Sequence, residues 1–417
     1  MRYQAPRGTE DVLPADSFRW IWLENEFRRL VRLYGYQEIR TPTFEDADLF
    51  IRTSGETSDI VTKQIYAFRD RGDRDVALKP EGTAPAIRAM VEAGLLTQGN
   101  LSRISYVTPI FRYERPQKGR LREAHQFGFE LIGSTNPRAD AEVIELTVRF
   151  YQQIGIEDVK VSLNSLGRTK CRARYREALL EFARPLLADQ TEEARAKFEL
   201  NPLRILDSKD EALQAALRDA PKVLDYLEDD SRARFDRLQQ LLTDGNVPFE
   251  VSPEIVRGLD YYTETVFEVL STRLGSQSAL CGGGRYDHLI KELGGPEMPS
   301  VGVGMGVERA LIVLDSLGKN PAEPKPQVFV VGTGGGSDVA IGIARELRAA
   351  GIATQDDIEA RSVKSQLRQA DKSGASLAIF VGDDEVSAGT ATLRSLATGE
   401  QGAVPLASVL SEVRARL

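Results

Sequence analysis

Five basic side chains crowd one short stretch of this chain, Arg112, Arg115, Lys118, Arg120 and Arg122, set against Glu114 alone with Glu123 just beyond. Residues 111–113 and 125–132 have the β-branched and aromatic content of strands. Pro116-Gln117-Lys118-Gly119 is turn chemistry, so the spacing predicts a hairpin with a long basic loop. Such a cluster is either a solvated face or a seat for an anion. Arginines on strands are aimed where those on loops wander, and a strand-borne Arg112 facing Gln126 and Glu130 would make a pocket floor carrying both signs of charge.

Other residues could serve the same pocket. Glu81 and Thr83, in Lys79-Pro80-Glu81-Gly82-Thr83, fall between a predicted strand (76–78) and a predicted helix (86–94). A carboxylate and a hydroxyl there either cap the helix or receive an ammonium group. Arg257-Gly258-Leu259-Asp260-Tyr261-Tyr262 opens a β-rich run through Val269, and paired tyrosines beside an arginine and an aspartate are unusual for a plain strand start. The glycines of Cys281-Gly282-Gly283-Gly284-Arg285-Tyr286-Asp287 suggest backbone packed against a ligand or ring, or else a flexible turn. Gly302, Gly304 and Gly306 alternate along a strand entering a helix at 307–317, with Glu308 and Arg309 in its first turn, where an anion is favoured. Two cysteines and two histidines leave no disulfide framework and no metal cluster. With no nucleophile in evidence, catalysis would rest on positioning and electrostatics.

The elements that must hold these residues follow from periodicity. A helix is expected at 18–34, capped by Asp16 or Ser17, then a strand at 36–42 that Pro42 confines to an edge or an interface. A helix at 139–154 and a strand at 159–163 follow. Residues 168–244 contain no glycine in a chain that has 35, which predicts an inserted helical domain. Prolines at 321, 324 and 326 mark a linker, and beyond it strands and helices alternate as a small α/β domain. There Gly332-Thr333-Gly334-Gly335-Gly336-Ser337 reads as a tight turn, since Ser337 stands at the third glycine of the dinucleotide fingerprint. Arg361, Lys364, Arg368 and Lys372 fall at helical spacing as one basic face. The chain of 417 residues has room for two or three domains, and a net charge of -8 argues against indiscriminate coating of nucleic acid. With no membrane-length apolar run and no signal-like start, the expectation is a soluble cytoplasmic protein without a membrane partner.

The hairpin, with ERPQKGR followed by His125-Gln126, resembles motif 2 of the class II aminoacyl-tRNA synthetases in its histidyl-tRNA synthetase form. The segments PEGT, RGLDYY and GGGRYD are similar to others of that family, and the resemblance spans essentially the whole chain. It implies an α+β fold: a class II antiparallel-sheet catalytic domain over 1–320 with the helical insertion at about 168–245, a linker at 321–327, and an anticodon-binding α/β domain over 328–417. The helix and strand ending at Pro42 are similar to motif 1, which builds the family's homodimer. The implied reaction activates L-histidine with ATP and Mg²⁺, then transfers it to the 3′ end of tRNA(His). By resemblance Arg112 and Arg257 are catalytic and bind ATP together with Arg120 and Arg309. Glu81, Thr83, Gln126, Glu130, Tyr261, Tyr262 and Tyr286 bind histidine, with Glu130 and Tyr262 at the two ring nitrogens. Arg115, Gln117 and Arg122 reach the tRNA acceptor end, and no side chains alone hold the metal. The chain departs from the family pattern at Glu123, Ala124 and His288, and has Lys79 where arginine is usual. Two further readings share the fold: the synthetase-like regulatory subunit of ATP phosphoribosyltransferase, which lacks the C-terminal domain and the tRNA-reading loop, and a class II synthetase for another amino acid, against which RGLDYY and GGGRYD speak.

Overall fold

A computed structural model describes the chain apart from residues 1–2, 56–57, 59, 118, 188–190, 193–194, 196–197, 200–201, 208–210, 256–258, 260 and 278, and the side chains of 54, 204, 207, 211–212, 214 and 275–277. It divides into two compact units, Met1–Pro321 and Ala322–Leu417.

The first unit is organised on a sheet in which eight strands pair among the described residues. In chain order these are β1 (Gln37–Glu38), β2 (Ser102–Phe111), β3 (Glu123–Ile132), β4 (Val159–Ser165), β5 (Phe249–Val251), β6 (Thr263–Ser271), β7 (Ala279–Arg285) and β8 (Ser300–Gly306). Their order across the sheet is β1-β2-β3-β8-β7-β6-β4-β5. The run from β2 to β4 is antiparallel throughout, and only the edge strands β1 and β5 pair in parallel. Side chains alternate between faces. On β3, Phe127, Phe129 and Leu131 point into the main core, where Phe127 stacks on Phe27 at 4.5 Å between ring centroids. Gln126, Gly128 and Glu130 therefore share the opposite face.

Among the helices that close the core side are α1 (Pro14–Leu33), α3 (Pro137–Gln153) and α6 (Val307–Leu317). Another, α2 (Thr83–Glu92), packs on the other face with Tyr106, Tyr261, Tyr262 and Tyr286. α1 begins at Pro14, ahead of the residues expected to cap it. Proline at the first helical position loses only an N–H that would be unpaired anyway, so no side-chain cap is needed and Asp16 lies within the first turn. The first hairpin strand also differs from expectation, ending at Phe111 where a start was predicted. Pro109 within it is tolerated because β1 pairs only with Ile104 and Ser105, leaving that edge open beside the proline.

The glycine-free window is helical, with α4 (Thr169–Ala183), short turns at Pro202–Asp207 and Val223–Tyr226, and α5 (Asp229–Asp244). Its helices serve two cores. Tyr175, Leu179 and Ala183 of α4 pack with Leu203, Ile205, Leu213 and Val223, whereas Phe235, Leu238 and Leu242 of α5 belong to the main core. As a packing unit the insertion thus stops short of α5. Glycine content reports helicity and is silent about which core a helix joins.

The second unit has a mixed sheet, β10-β9-β11-β12-β13, made of β9 (Val328–Gly332), β10 (Thr354–Asp356), β11 (Leu377–Val381), β12 (Thr390–Ser395) and β13 (Gln401–Pro405). Its main helices are α7 (Ser337–Ala349), α8 (Val363–Ser373) and α10 (Val409–Arg416), with the short α9 (Asp383–Ala388) between β11 and β12. The glycine loop 332–337 is a tight turn: the Gly335 N–H donates to Asp383 Oδ1 at 2.7 Å, so an internal carboxylate already takes the donor a phosphate would need. Lys364, Arg368 and Lys372 are exposed on α8, but Arg361 precedes the helix and pairs with Asp357 at 3.6 Å.

Candidate active site

A cavity of about 440 Å³ opens on the face of the sheet away from the helical core, lined by Glu81, Thr83, Arg112, Glu114, Arg120, Gln126, Tyr261, Tyr262, Glu268 and Arg309 among others. One end is basic. Arg112 Nε donates to the Pro80 carbonyl at 2.7 Å, and Arg120 approaches Glu114 at 3.4 Å. Arg309 Nε donates to the Gly119 carbonyl at 3.1 Å, and its terminal nitrogen to the Ala279 carbonyl. Burial, and Arg120 beside it, push the Arg309 pKa down, with Glu114 pulling the other way. Arg309 owes its place to Glu308. That carboxylate accepts from the His125 backbone N–H at 2.8 Å and lies 2.9 Å from its ring Nδ1, tying the first turn of α6 to β3.

The other end is acidic and buried. Glu81 accepts from the backbone N–H groups of Thr83 (2.6 Å) and Ala84 (2.8 Å), so it caps α2 and faces the cavity at once. Burial raises its pKa, against the pull of those two N–H groups. Gln126 Oε1 accepts from Gly82 N at 2.8 Å. Behind them Glu130 has no exposed surface; Oε1 accepts from Thr83 and from Tyr106, each at 2.9 Å, and Oε2 from Tyr286 at 2.6 Å. Burial pushes its carboxyl up to about 8, with the three hydroxyls pulling the other way and Glu81 adding to the rise. Tyr261 completes an aromatic wall, its ring 4.7 Å from Tyr262 and 5.7 Å from Tyr286.

The alternating glycines make this end possible. Gly302 pairs with Glu130 across β8 and β3, and a Cβ there would lie 1.5 Å from Glu130 Oε2. A Cβ on Gly304 would lie 2.3 Å from Gln126 Nε2, and one on Gly284 would lie 2.9 Å from the Tyr262 ring. GGGRYD is thus largely strand, not a flexible turn, and it is fixed from behind: fully buried Arg285 donates to Asp140 at 3.1 Å beside Tyr286.

The structure brings most of the expected residues together, with differences of placement. Glu130 and Tyr286 lie behind the cavity wall, because their polar atoms are consumed by one another. Arg115 and Gln117 are exposed on the hairpin loop. Arg122 packs its stem against Gly8 and sets its guanidinium 3.9 Å over the Tyr113 ring, so it holds the loop and does not face the cavity. Arg257 lies outside the described residues, as do Lys118 and Asp260. Lys79 is buried and donates to the Thr41 carbonyl at 3.2 Å, supporting the segment from beneath. His288 has φ −107°, a conformation open to any residue, and Ala124 lines the cavity with a small side chain.

Sequence reasoning missed Tyr106. Its hydroxyl bridges Thr83 and Glu130, and its ring fills the space beside Gly82 and Gly128, where added Cβ atoms would lie 2.3 and 2.2 Å from it. The signal was present as two glycines with no turn to explain them.

Sequence models of two families match this chain: histidyl-tRNA synthetase over residues 8–310 and the anticodon-binding domain over residues 327–416. A histidine–tRNA ligase of Limosilactobacillus fermentum is 44% identical over 99% of this chain and 97% of its own length. One from Moorella thermoacetica is 46% identical over 98% and 97% respectively. Among solved structures, apo S. aureus histidyl-tRNA synthetase superposes with a TM-score of 0.85 at 33% identity, covering 99% of this chain and 100% of that one.

Proposed function

The chain belongs to the histidyl-tRNA synthetase family, and from that premise we infer that it joins L-histidine to tRNA(His) in two steps, through an enzyme-bound histidyl-adenylate. The observation that carries the assignment of ends is the polarity of the cavity, with three arginines at one end and a buried carboxylate cluster at the other. ATP phosphates belong with Arg112, Arg120 and Arg309. The histidine ammonium belongs with Glu81 and Thr83, and its ring against Tyr262, with Glu130 behind the cavity wall acting on the ring through the Thr83, Tyr106 and Tyr286 hydroxyls it holds. So oriented, the histidine carboxylate attacks the α-phosphorus and pyrophosphate leaves. Arg112 stabilises the charge that develops on the phosphoryl oxygens, a contact worth most in the transition state. Arg257 is assigned the same task by resemblance alone. The ribose hydroxyl at the tRNA 3′ end then attacks the adenylate carbonyl and AMP departs, with Arg115 and Gln117 on the exposed loop meeting the acceptor end.

No cluster of three or more metal-ligating side chains exists among the described residues. Mg²⁺ uses one or two carboxylates with phosphate oxygens and water, and Glu114 and Glu268 on the cavity wall are the acids that would hold it. When bound it neutralises charge on the pyrophosphate.

The second unit would take the anticodon stem, with Lys364, Arg368 and Lys372 toward the phosphates. We further propose a homodimer formed about α1 and the edge strand β1, where Ile21 and Leu33 are 59% and 71% exposed. Among the described residues no helix is long and apolar enough to cross a membrane, and the substrate tRNA implies a cytoplasmic workplace. Exchange of pyrophosphate into ATP across a panel of amino acids tests the central reading. Exchange supported by histidine alone is expected, and exchange with a different amino acid, or with none, refutes it.

A further inference from the structure

The corner that carries Tyr261 and Tyr262 is held from an unexpected direction. α4 begins immediately after β4, and its far half, through Tyr175, Leu179 and Ala183, belongs to the small core of the helical insertion. Its near end reaches the amino-acid pocket. The Arg172 guanidinium donates to the Tyr262 backbone carbonyl at 3.0 Å, and Arg168 Nε donates to Glu264 Oε1 at 3.1 Å. Ser231 in the first turn of α5 donates to the same Glu264 oxygen at 3.0 Å.

Glu264 needs such holding. Its φ is +45°, in the left-handed region that non-glycine residues seldom occupy, so the first residues of β6, just after Tyr262, bend sharply under strain where the pairing with β7 shifts register. Its main chain is also clasped: Leu166 N–H donates to the Glu264 carbonyl at 2.7 Å, and Glu264 N–H to the Gly167 carbonyl at 3.2 Å. The Tyr262 ring can then seat only against Gly284, where a side chain would collide with it. A charged donor on a carbonyl and an ion pair on a strained carboxylate are stronger ties than a simple loop requires.

We propose that Arg172 and Arg168 are positioning residues for histidine selection, and that through them the first turn of α4 makes the helical insertion set the geometry of the Tyr261–Tyr262 corner. The inference rests on the reading of that corner as the histidine pocket. Among the described residues that line the cavity, neither arginine is found. Their loss should therefore weaken the binding of histidine and leave that of ATP intact, whereas a purely structural loss would move both together with the melting temperature.

The test is pyrophosphate exchange on the full chain, varying histidine and ATP separately. Arg172→Met keeps the stem and removes the donor; the expected result is a roughly tenfold rise in the KM for histidine, an ATP KM within about twofold of the starting protein, and a smaller fall in kcat. Arg172→Lys restores a donor and should recover most of the loss. Arg168 is half-exposed, so Arg168→Met will fold even if the first variant does not, and should move the histidine KM in the same direction by less. An unchanged histidine KM in Arg168→Met and, where it folds, in Arg172→Met overturns the proposal. So does a parallel rise in both KM values with a lowered melting temperature. Failure of the unsubstituted protein to exchange with histidine would instead overturn the functional reading beneath it.

Discussion

Replacing Glu130 by glutamine keeps the shape of the most buried acid in the pocket and removes its titration. Burial raises its pKa from 4.5 to about 8, which at about 1.4 kcal/mol per tenfold in proton affinity is on the order of 5 kcal/mol of differential interaction. The sign follows from linkage. Between pH 4.5 and 8 the folded protein holds a proton at Glu130 that the unfolded chain has released, so this group's contribution to stability is complete below about pH 4.5 and is lost as pH rises through about 8. From pH 6 to pH 8.5 the loss amounts to about 2.5 kcal/mol, and Glu130→Gln does not suffer it. Other titrating groups act on both proteins and cancel in the difference. The assay is urea unfolding at the two pH values, followed by tryptophan fluorescence, because the two tryptophans, Trp20 and Trp22, both lie in the unit that contains Glu130. Stability of the variant relative to the original should rise with pH. A difference independent of pH would mean that three hydroxyl donors outweigh desolvation and that Glu130 is ionised throughout. In pyrophosphate exchange the same variant should raise the histidine KM and spare that of ATP. An unchanged histidine KM beside a raised ATP KM would move Glu130 out of the amino-acid pocket.

Arg309→Ala should slow pyrophosphate exchange on the order of a hundredfold, the usual consequence of removing one preorganised charge from a phosphoryl-transfer site; single-turnover rates equal to those of the original protein would remove Arg309 from the ATP site. Tyr106→Phe removes one donor from Glu130 and should weaken histidine binding by about 1 kcal/mol or somewhat more, and also lift the acidic limb of the pH profile for histidine binding; an unmoved profile would reduce Tyr106 to a packing residue. Combined replacement of Lys364, Arg368 and Lys372 by alanine should lower tRNA charging and flatten its salt dependence while pyrophosphate exchange is untouched, and equal loss in both assays would show damage away from RNA binding. Sedimentation at micromolar concentration should find twice the chain mass, and a stable monomer would count against the dimer proposed about α1.

What the sequence revealed depended on whether a residue's neighbours in the chain were also its neighbours in space. The hairpin is local, and its spacing already placed Arg112, Gln126 and Glu130 on one pocket floor, whereas Arg309 in the first turn of α6 joined them only through the resemblance to the family's motif 3. β2 was hidden by Pro109, which argues against a strand until the partial cover by β1 is known. Tyr106 was hidden by type, since a tyrosine in an apolar run reads as a core ring, and only the partners of its hydroxyl, Thr83 and Glu130, distinguish it. The alternatives for Glu81, cap or ligand, proved not to exclude each other, because the helix it caps points its N-terminus into the cavity. The β12–β13 hairpin went unread because its strands are short and polar on one side.

The burial that makes the Glu130 carboxyl costly is also what would make it discriminating. An acid in water can be satisfied by any donor, and a site built around it would select weakly. Held at zero exposure, Glu130 fixes the hydroxyls of Thr83, Tyr106 and Tyr286, so a ligand that brings no matching polar atom to the wall they support leaves the site worse off than an empty, hydrated pocket. An imidazole meets that demand with a ring nitrogen that can donate; an aliphatic side chain of similar size does not. The arrangement needs a strand face with a side chain missing wherever the acid and the amide lie, which is the position of Gly302 and Gly304. It also needs a rigid support for the strain at Glu264, which the first turns of α4 and α5 provide. Gly302→Ala is accordingly the more severe substitution of the two strand partners: a Cβ 1.5 Å from Glu130 Oε2 must displace the carboxylate from its hydroxyls, whereas the Gly304 contact is to the amide end of a side chain that can swing away.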